Sequence, residues 1–400
     1  MRAAPVSETD RIRQLDIIRG FALFGILLVN MPSFLHPALF MPVAGLPEEH
    51  SLIDEWIRLL FDMFVQTKFY TIFSFLFGAG FYLFMSRAEQ KGLPMYQLFL
   101  RRLVVLLLIG ILHMFLFWYG DILHTYALAG FILMLFYKKK KQTVHRWAWT
   151  LLIFIQALLG LTLLIPSAGP NHAQALLAQE AIDAYNHGSW GEWLQFRWLY
   201  EIPYVLSNEI LALLTVIPLF LFGFSAAREG VFTQPAAYRE KIRRIWRLSL
   251  LLSIPLVAMI PLVKYGVVPF PAPAYLASQV FVTWSGLTLC AFYITSFLLL
   301  LSGKSGEGRL ARLGLVGRMS LTNYLMQTLV FVFIARFFSL YGSASLAFGL
   351  VVCLALFLVQ VAFSRWWLSR YMYGPMEWVW RCSTYAEIVP LKRGESPRRG

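Results

Sequence analysis

Residues 101–141 read RRLVVLLLIGILHMFLFWYGDILHTYALAGFILMLFYKKKK, and this stretch decides the fold. Two apolar runs, 103–118 and 122–137, are joined by a tight turn through Tyr119 and Gly120. Arg101 and Arg102 precede the first run, and four lysines, Lys138 to Lys141, follow the second. Basic residues at both open ends of an apolar hairpin keep those ends on the cytoplasmic side of a membrane. The lysine run is read as a topology determinant, with contact to anionic lipid as a by-product.

Working outward, the same pattern repeats. Apolar helices are expected over 17–34, 68–84, 147–165, 204–226, 248–263, 276–301, 319–340 and 346–367. With the hairpin, that predicts an all-α, polytopic integral membrane bundle of about ten transmembrane helices, each near the roughly 20 residues a bilayer core needs. Composition agrees: 58% of residues are hydrophobic and 14% charged, and the mean hydropathy is +0.63. The first helix follows Arg11, Arg13 and Arg19 but lacks a nearby small-residue cleavage pattern, so it reads as retained. With both termini cytoplasmic, 30 of the 35 Lys and Arg residues fall on the inner side and five on the outer. The net charge of +14 then divides into +20 inside and −6 outside. It is a topology signal and makes nucleic acid a poor partner.

The expected organisation is a cytoplasmic segment, 1–16, a ten-helix membrane domain, 17–368, and a cytoplasmic C-terminal segment, 369–400, whose last ten residues read as a disordered basic tail. Residues 51–66 place Leu52, Trp56, Leu59, Leu60, Met63 and Phe64 on one helical face, opposite Asp54, Glu55, Arg58 and Asp62. This is an outer interfacial helix, capped by Ser51. The long outer connection, 166–200, carries Trp190, Trp193 and Trp198 and reads as an aromatic interface anchor ahead of a lid. Cys290, Cys353 and Cys382 form no close pair, and no HExxH, CxxC or paired-histidine spacing points to a metal.

Polar groups inside apolar helices are costly and therefore informative. Toward the outer side lie Asn30, His36, Lys68, Tyr70, His113, Asp121, His124 and Glu209; toward the inner side lie Asp16, Arg19, Arg101, Arg102, Ser320, Asn323 and Glu377. His113 is the sharpest position. It sits between IGIL and MFLF, about 7 Å below the end of its helix at 1.5 Å per residue. Such surroundings favour neutral imidazole, able to take a proton from an alcohol or amine. Asp121 would orient the ring once the hairpin closes. A packing hydrogen bond to another helix is the alternative. His36 and His124 sit where solvation is available, and Glu209 suits either catalysis or a proton relay. Arg19 and Asn30, eleven residues apart, share one helix face at about 16 Å separation. Ser320, Asn323 and Gln327 share another, which would line either a ligand path or a polar seam between helices. The GAG of FSFLFGAGFYLF is a close-packing element.

Five blocks, LDIIRGFALFGILLVN, KFYTIFSFLFGAGF, RRLVVLLLIGILHMFLFWYGDIL with YAL, GRMSLTNYLMQT and YGPMEWVWR, resemble in order the YeiB-like bacterial membrane proteins, domain-of-unknown-function family 418. The first block is also distantly similar to transmembrane acyltransferases of the acyltransferase-3 class and to heparan-α-glucosaminide N-acetyltransferase. That resemblance implies transfer of an acyl group from cytosolic acyl-CoA to a hydroxyl or amine across the membrane. Arg19 matches the acyltransferase-3 arginine, while Asn30 stands where that pattern has histidine; His36 is a loosely aligned counterpart in the heparan enzyme. In the YeiB-like pattern the GILH and GDIL portions correspond to His113 and Asp121.

The expectation is therefore a multi-pass protein of the bacterial inner membrane, in contact with membrane lipids, moving an acyl group from acyl-CoA to a cell-envelope glycan or lipid. His113, Asp121, Asn30 and His36 are its catalytic candidates. Arg19, Asp16, Arg101, Arg102 and Asn323 are expected to bind the donor. Lys68, Tyr70, His124, Glu209 and Gln327 would complete the polar lining. A proton-coupled transporter or exporter would use the same polar groups as a relay. A non-catalytic membrane scaffold would have no continuous cavity between the inner and outer sets.

Overall fold

The computed structural model describes residues 11–44, 51–166, 171–302 and 306–393. The first ten residues, Lys304 and most of the expected basic tail lie outside the described residues. The described chain is helical, with one isolated bridge between Tyr371 and Lys392. Helix α1 (Arg13–Leu35) is followed by a single turn, α2 (Met41–Ala44), and by α3 (Leu52–Phe64), which meets α4 (Lys68–Gln90) at a corner. Helices α5 (Met95–Leu116) and α6 (Leu123–Met134) form the hairpin, and α7 (Lys141–Leu161) follows. The long connection folds into α8 (His172–Asn186), α9 (Trp190–Phe196) and α10 (Ile202–Ser207). Then come α11 (Glu209–Arg228), α12 (Arg239–Lys264), α13 (Ala274–Leu301), α14 (Gly306–Arg318), α15 (Ser320–Phe337), α16 (Leu346–Arg370) and α17 (Pro375–Tyr385).

Among the described residues, eight helices are long and apolar enough to cross a membrane. In a bilayer each backbone N–H and C=O must be satisfied within the protein, and helices achieve this segment by segment. The expected fourth and ninth spans correspond to α6, which has 12 residues, and α15, which carries Asn323, Gln327 and Arg336; neither is among the eight. The sixth begins at Glu209, not 204, because Asn208 departs from helical geometry between α10 and α11. The ninth ends at Phe337 because Ser339 is left-handed, and Met319 separates it from α14.

Two packing features position the rest. Helices α4 and α11 touch backbone to backbone: a Cβ at Gly78 would overlap the Phe220 carbonyl, and one at Gly223 the Phe75 carbonyl. Small residues allow this approach, which lets dispersion act between whole helices in an apolar medium. At the α3–α4 corner, Thr67 adopts φ 68° and its hydroxyl donates to Val282 O at 2.8 Å. Lys68 Nζ donates to Asp62 O at 2.6 Å and to Val282 O at 3.2 Å.

Helix α3 is amphipathic, as its periodicity predicts, and Ser51 Oγ accepts from Asp54 N at 3.2 Å. Its acidic side faces inward. Asp54 and Asp62 are buried, while Leu52 is 74% and Trp56 65% exposed. Asp54 Oδ1 accepts from Ala347 N at 2.9 Å, satisfying a free amide in the first turn of α16.

The 166–200 connection differs from a simple interface anchor. Trp193 is buried, whereas Trp190 and Trp198 are exposed. Tyr185 stacks on Tyr341 with ring centroids 3.9 Å apart, and Arg336 donates to the Ala184, Tyr185 and Gly188 carbonyls. Helices α8 to α10 therefore form a fastened cap. The start of the expected tail is also held: Met372 N donates to Leu391 O and Arg393 Nε to Leu368 O, both at 2.9 Å.

Replacing Gly223 with leucine should lower the stability of the detergent-purified protein by about 1–3 kcal/mol or prevent its assembly, since backbone blocks the added side chain. Gly308→Ala, with open space around it, should leave the melting temperature unchanged or slightly higher. Equal behaviour of the two variants in a thermal melt would contradict the packing assigned to α4 and α11.

Candidate functional site

The hairpin turn folds Asp121 back against α5. Room for it comes from Gly110, where a Cβ would lie 2.8 Å from Asp121 Oδ2 and overlap the backbone nitrogen of His124. The carboxylate is buried and accepts three bonds. His113 Nδ1 is 2.8 Å from Oδ1, and His124 Nδ1 and backbone N are each 3.0 Å from Oδ2. On its far side His124 Nε2 lies 3.1 Å from Glu209 Oε2, which also accepts from Thr125 Oγ1 at 3.1 Å. The first residue of α11 is thereby tied to the first turn of α6.

This arrangement fixes protons. Asp121 beside Nδ1 of His113 places the ring hydrogen there and leaves a lone pair on Nε2. That nitrogen is buried and has no hydrogen-bond partner among the described residues. His124 has a carboxylate oxygen at each ring nitrogen and can donate to both as imidazolium. The geometry leaves His113 Nε2 as the nitrogen able to accept a proton. Among the described residues no three His, Cys, Asp or Glu side chains are arranged to hold a metal ion.

A cavity of about 280 Å³ runs from the end of the bundle that carries the basic loops toward this cluster. Arg19, Arg102 and Arg381 line one end, and Ile122, Leu123, Tyr126 and Tyr324 line the other. Ile122 follows Asp121 directly. His113 is outside the wall, but its ring is 5.4 Å from that of Tyr324. Tyr324 thus borders both the cavity and the His113 ring.

The remaining predicted residues divide by place. Asp16 lines the cavity, bonded to Arg11 at 3.1 Å and Arg19 at 3.0 Å. Arg101 is exposed and lies outside the wall. Asn323 donates to Ser364 Oγ at 3.1 Å and Gln327 to Gln360 Oε1 at 3.0 Å, so both face α16. His36 is buried at the end of α1 and Asn30 is half-buried six residues earlier; the bonds that hold His113 and His124 to Asp121 involve neither. Lys68 serves the α3–α4 corner, and the Tyr70 carbonyl accepts from Tyr126 OH at 3.1 Å.

Sequence reasoning missed the support beyond the end of α5. Arg197 is fully buried and donates to the Met114 and Phe115 carbonyls, the free C-terminal groups of α5 just beyond His113. A cation there satisfies orphan acceptors and complements the helix dipole. Its partner Glu201, 3.4 Å away, lies in the same π-helical segment, Arg197–Glu201, and accepts from Tyr185 OH at 2.9 and 3.0 Å. Burial, opposed by Arg197, pushes the Glu201 carboxyl up to about 7. Two charges four residues apart in a tryptophan-rich connection were the available signal. Tyr324, in the TNYL block, and Trp380, in the EWVW block, were likewise overlooked.

Comparison with known proteins gives a consistent picture. The family model described as "Protein of unknown function (DUF418)" matches residues 226–387. The chain is 34% identical to "Uncharacterized protein YxaH" of Bacillus subtilis (strain 168), over 97% of this chain and 98% of the relative. It is 31% identical to an uncharacterized 39.9 kDa protein of Bacillus acidopullulyticus, over 97% of each chain. It is 26% identical to "Uncharacterized protein YeiB" of Escherichia coli (strain K12), over 95% of this chain and 98% of the relative. No solved structure matches.

The raised Glu201 carboxyl has a definite sign. The folded protein holds that proton more tightly than the unfolded chain, so the stabilisation is full below about 4.5 and fades as pH rises through about 7. Protection factors of the α8–α10 cap amides, which remove the base-catalysed rise of intrinsic exchange with pH, should be higher at pH 5 than at pH 8. Glu201→Gln should flatten the difference, and an unchanged pH response in that variant would assign it elsewhere.

Proposed function

The chain belongs to the DUF418 family of membrane proteins, and from the chemistry of its buried site we propose that it is an acyltransferase of the bacterial inner membrane. It would take an acyl group from cytosolic acyl-CoA and deliver it to a hydroxyl or amine of an envelope glycan or lipid on the opposite side. The observation that carries this reading is one cavity reaching from arginines at the basic end to the residues beside the His113–Asp121 pair.

In the proposed reaction the His113 Nε2 lone pair takes the proton of the acceptor hydroxyl or amine as its oxygen or nitrogen attacks the thioester carbonyl. The new C–O or C–N bond forms, the C–S bond breaks, and the thiolate receives the proton from His113. Asp121 keeps Nδ1 protonated and stabilises the imidazolium formed between the two steps. The reading requires Tyr324 to swing aside, because its ring stands between the cavity and the imidazole.

Proton-coupled transport is the second reading. The continuous Asp121–His124–Glu209 chain supports it, as does the interruption between α14 and α15 at Met319. Substrate flux in proteoliposomes driven by a proton gradient, with no covalently altered product, would favour it.

Purified protein supplied with acyl-CoA and an envelope extract should release free CoA and label an acceptor. His113→Ala should slow this by about 10²- to 10⁴-fold, the usual worth of general acid–base catalysis. Full activity in that variant would remove His113 from the mechanism, and no release with any acyl-CoA would remove the acyltransferase.

A further inference from the structure

Six arginines and two carboxylates line the cavity, an excess of four positive charges. Both carboxylates are committed within the protein. Asp16 is bonded to Arg11 and Arg19. Glu377 caps α15: Oε1 accepts from Leu321 N at 2.6 Å and Thr322 N at 3.2 Å, and Oε2 accepts from Thr322 Oγ1 at 2.6 Å. Arg102 and Arg381 instead rest on aromatic rings. The Arg102 guanidinium is 3.5 Å from the Trp380 ring centroid and 5.3 Å from that of Phe84; Arg381 is 4.4 Å from Tyr373. Neither forms an ion pair with a carboxylate among the described residues. A ring holds the flat side of a guanidinium and leaves its N–H edge for a bidentate acceptor.

Away from these arginines the wall changes character. Phe73, Leu76, Phe77, Phe81 and Leu106 give it an apolar surface up to Tyr126 and Tyr324. Tyr126 OH is engaged with Ser74 at 2.7 Å and with the Tyr70 carbonyl, so that tyrosine offers little to a polar guest. The space is basic at one end and hydrocarbon-like along its length.

We propose that Arg102 and Arg381 form a binding site for the phosphate group of an amphiphile, whose apolar arm extends along the phenylalanine wall toward Tyr324. Phosphate oxygens match the paired N–H groups of arginine in geometry and charge, and they would neutralise the two guanidiniums, Arg102 and Arg381, that rest on rings. Helix α17 is then a working part of the site: it supplies Arg381 and Trp380, and through Glu377 it holds α15. A soluble phosphorylated thioester and an anionic lipid share this chemistry. The inference deepens the acyl-transfer reading and rests on it for which way the arm points.

The test is binding to the full-length protein in detergent, by titration calorimetry, with palmitoyl-CoA, dioleoyl phosphatidic acid and palmitate as probes. At least one phosphate-bearing probe should bind more tightly than palmitate. Saturation by palmitoyl-CoA alone identifies the soluble source, and saturation by phosphatidic acid identifies the lipid. Arg102→Gln and Arg381→Gln should each weaken that binding about tenfold, the loss expected of one charge-assisted bond. Arg146→Gln, an exposed change on α7, should not. Inorganic pyrophosphate should displace the bound probe from unmutated protein, a measurement that does not depend on any variant folding. The proposal is overturned if no phosphate-bearing probe outbinds palmitate, if pyrophosphate leaves a bound probe in place, or if folded arginine variants bind like wild type. His113→Ala should keep the binding. Binding without acyl transfer would sink the enzymatic reading alone, and transfer indifferent to both arginines would sink this inference alone.

Discussion

A buried carboxylate in an apolar medium must be compensated at once or it costs several kcal/mol. Asp121 is the point at which this chain meets that demand, and much of its far end is organised by the solution. Both oxygens are occupied, one by His113 and the other by the ring and backbone of His124. To supply those donors the α5–α6 turn must be tight and α5 must carry glycine at position 110. Glu209 must then answer the second nitrogen of His124, which fixes where α11 begins. Arg197 takes the carbonyls that α5 leaves open beyond His113 and ties the cap to the same locus. Removing the Asp121 carboxylate would leave His113 Nδ1 and the ring and backbone of His124 without their shared acceptor.

That network was largely legible because it is local. Asp121 and His113 are eight residues apart across one turn, and an apolar hairpin with polar groups at matching depth can close in few ways. The same reasoning faltered where partners are remote. Lys68 looks like a cavity residue in sequence, yet one carbonyl that accepts its hydrogen bond belongs to Val282, 214 positions away. Asn323 and Gln327 share a face, as their spacing requires, but periodicity says nothing about which helix that face meets; it meets α16 through Gln360 and Ser364. Arg197 showed only its four-residue spacing from Glu201, which does not name the carbonyls it serves. Its meaning depends on the end of a helix some 80 residues earlier in the chain.

The cavity combines both kinds of information. Its apolar walls come from helices visible as hydrophobic runs. Its basic end is completed by α17, which follows the last long apolar helix and would pass for a peripheral segment. Glu377 is pivotal because its two oxygens serve the backbone and hydroxyl of the broken ninth helix. The interruption at Met319 is thus a built joint: α14 packs on α1 and α16, α15 continues along α1, and Glu377 of α17 accepts from the first amides of α15.

Helix α3 carries a consequence for the molecule as a whole. In water an amphipathic helix turns its charged side out, whereas α3 sends Asp54 to the first turn of α16 and Leu52 and Trp56 outward, with Leu59 buried and Glu55 exposed. Nothing protein-borne covers that outward face among the described residues. An apolar medium is what such a face suits, so in a bilayer the hydrocarbon would stand where core side chains stand elsewhere. The amide in the first turn of α16 is thus capped by a helix whose opposite side the protein itself leaves open, so the hold on α16 is tied to the medium that meets that side.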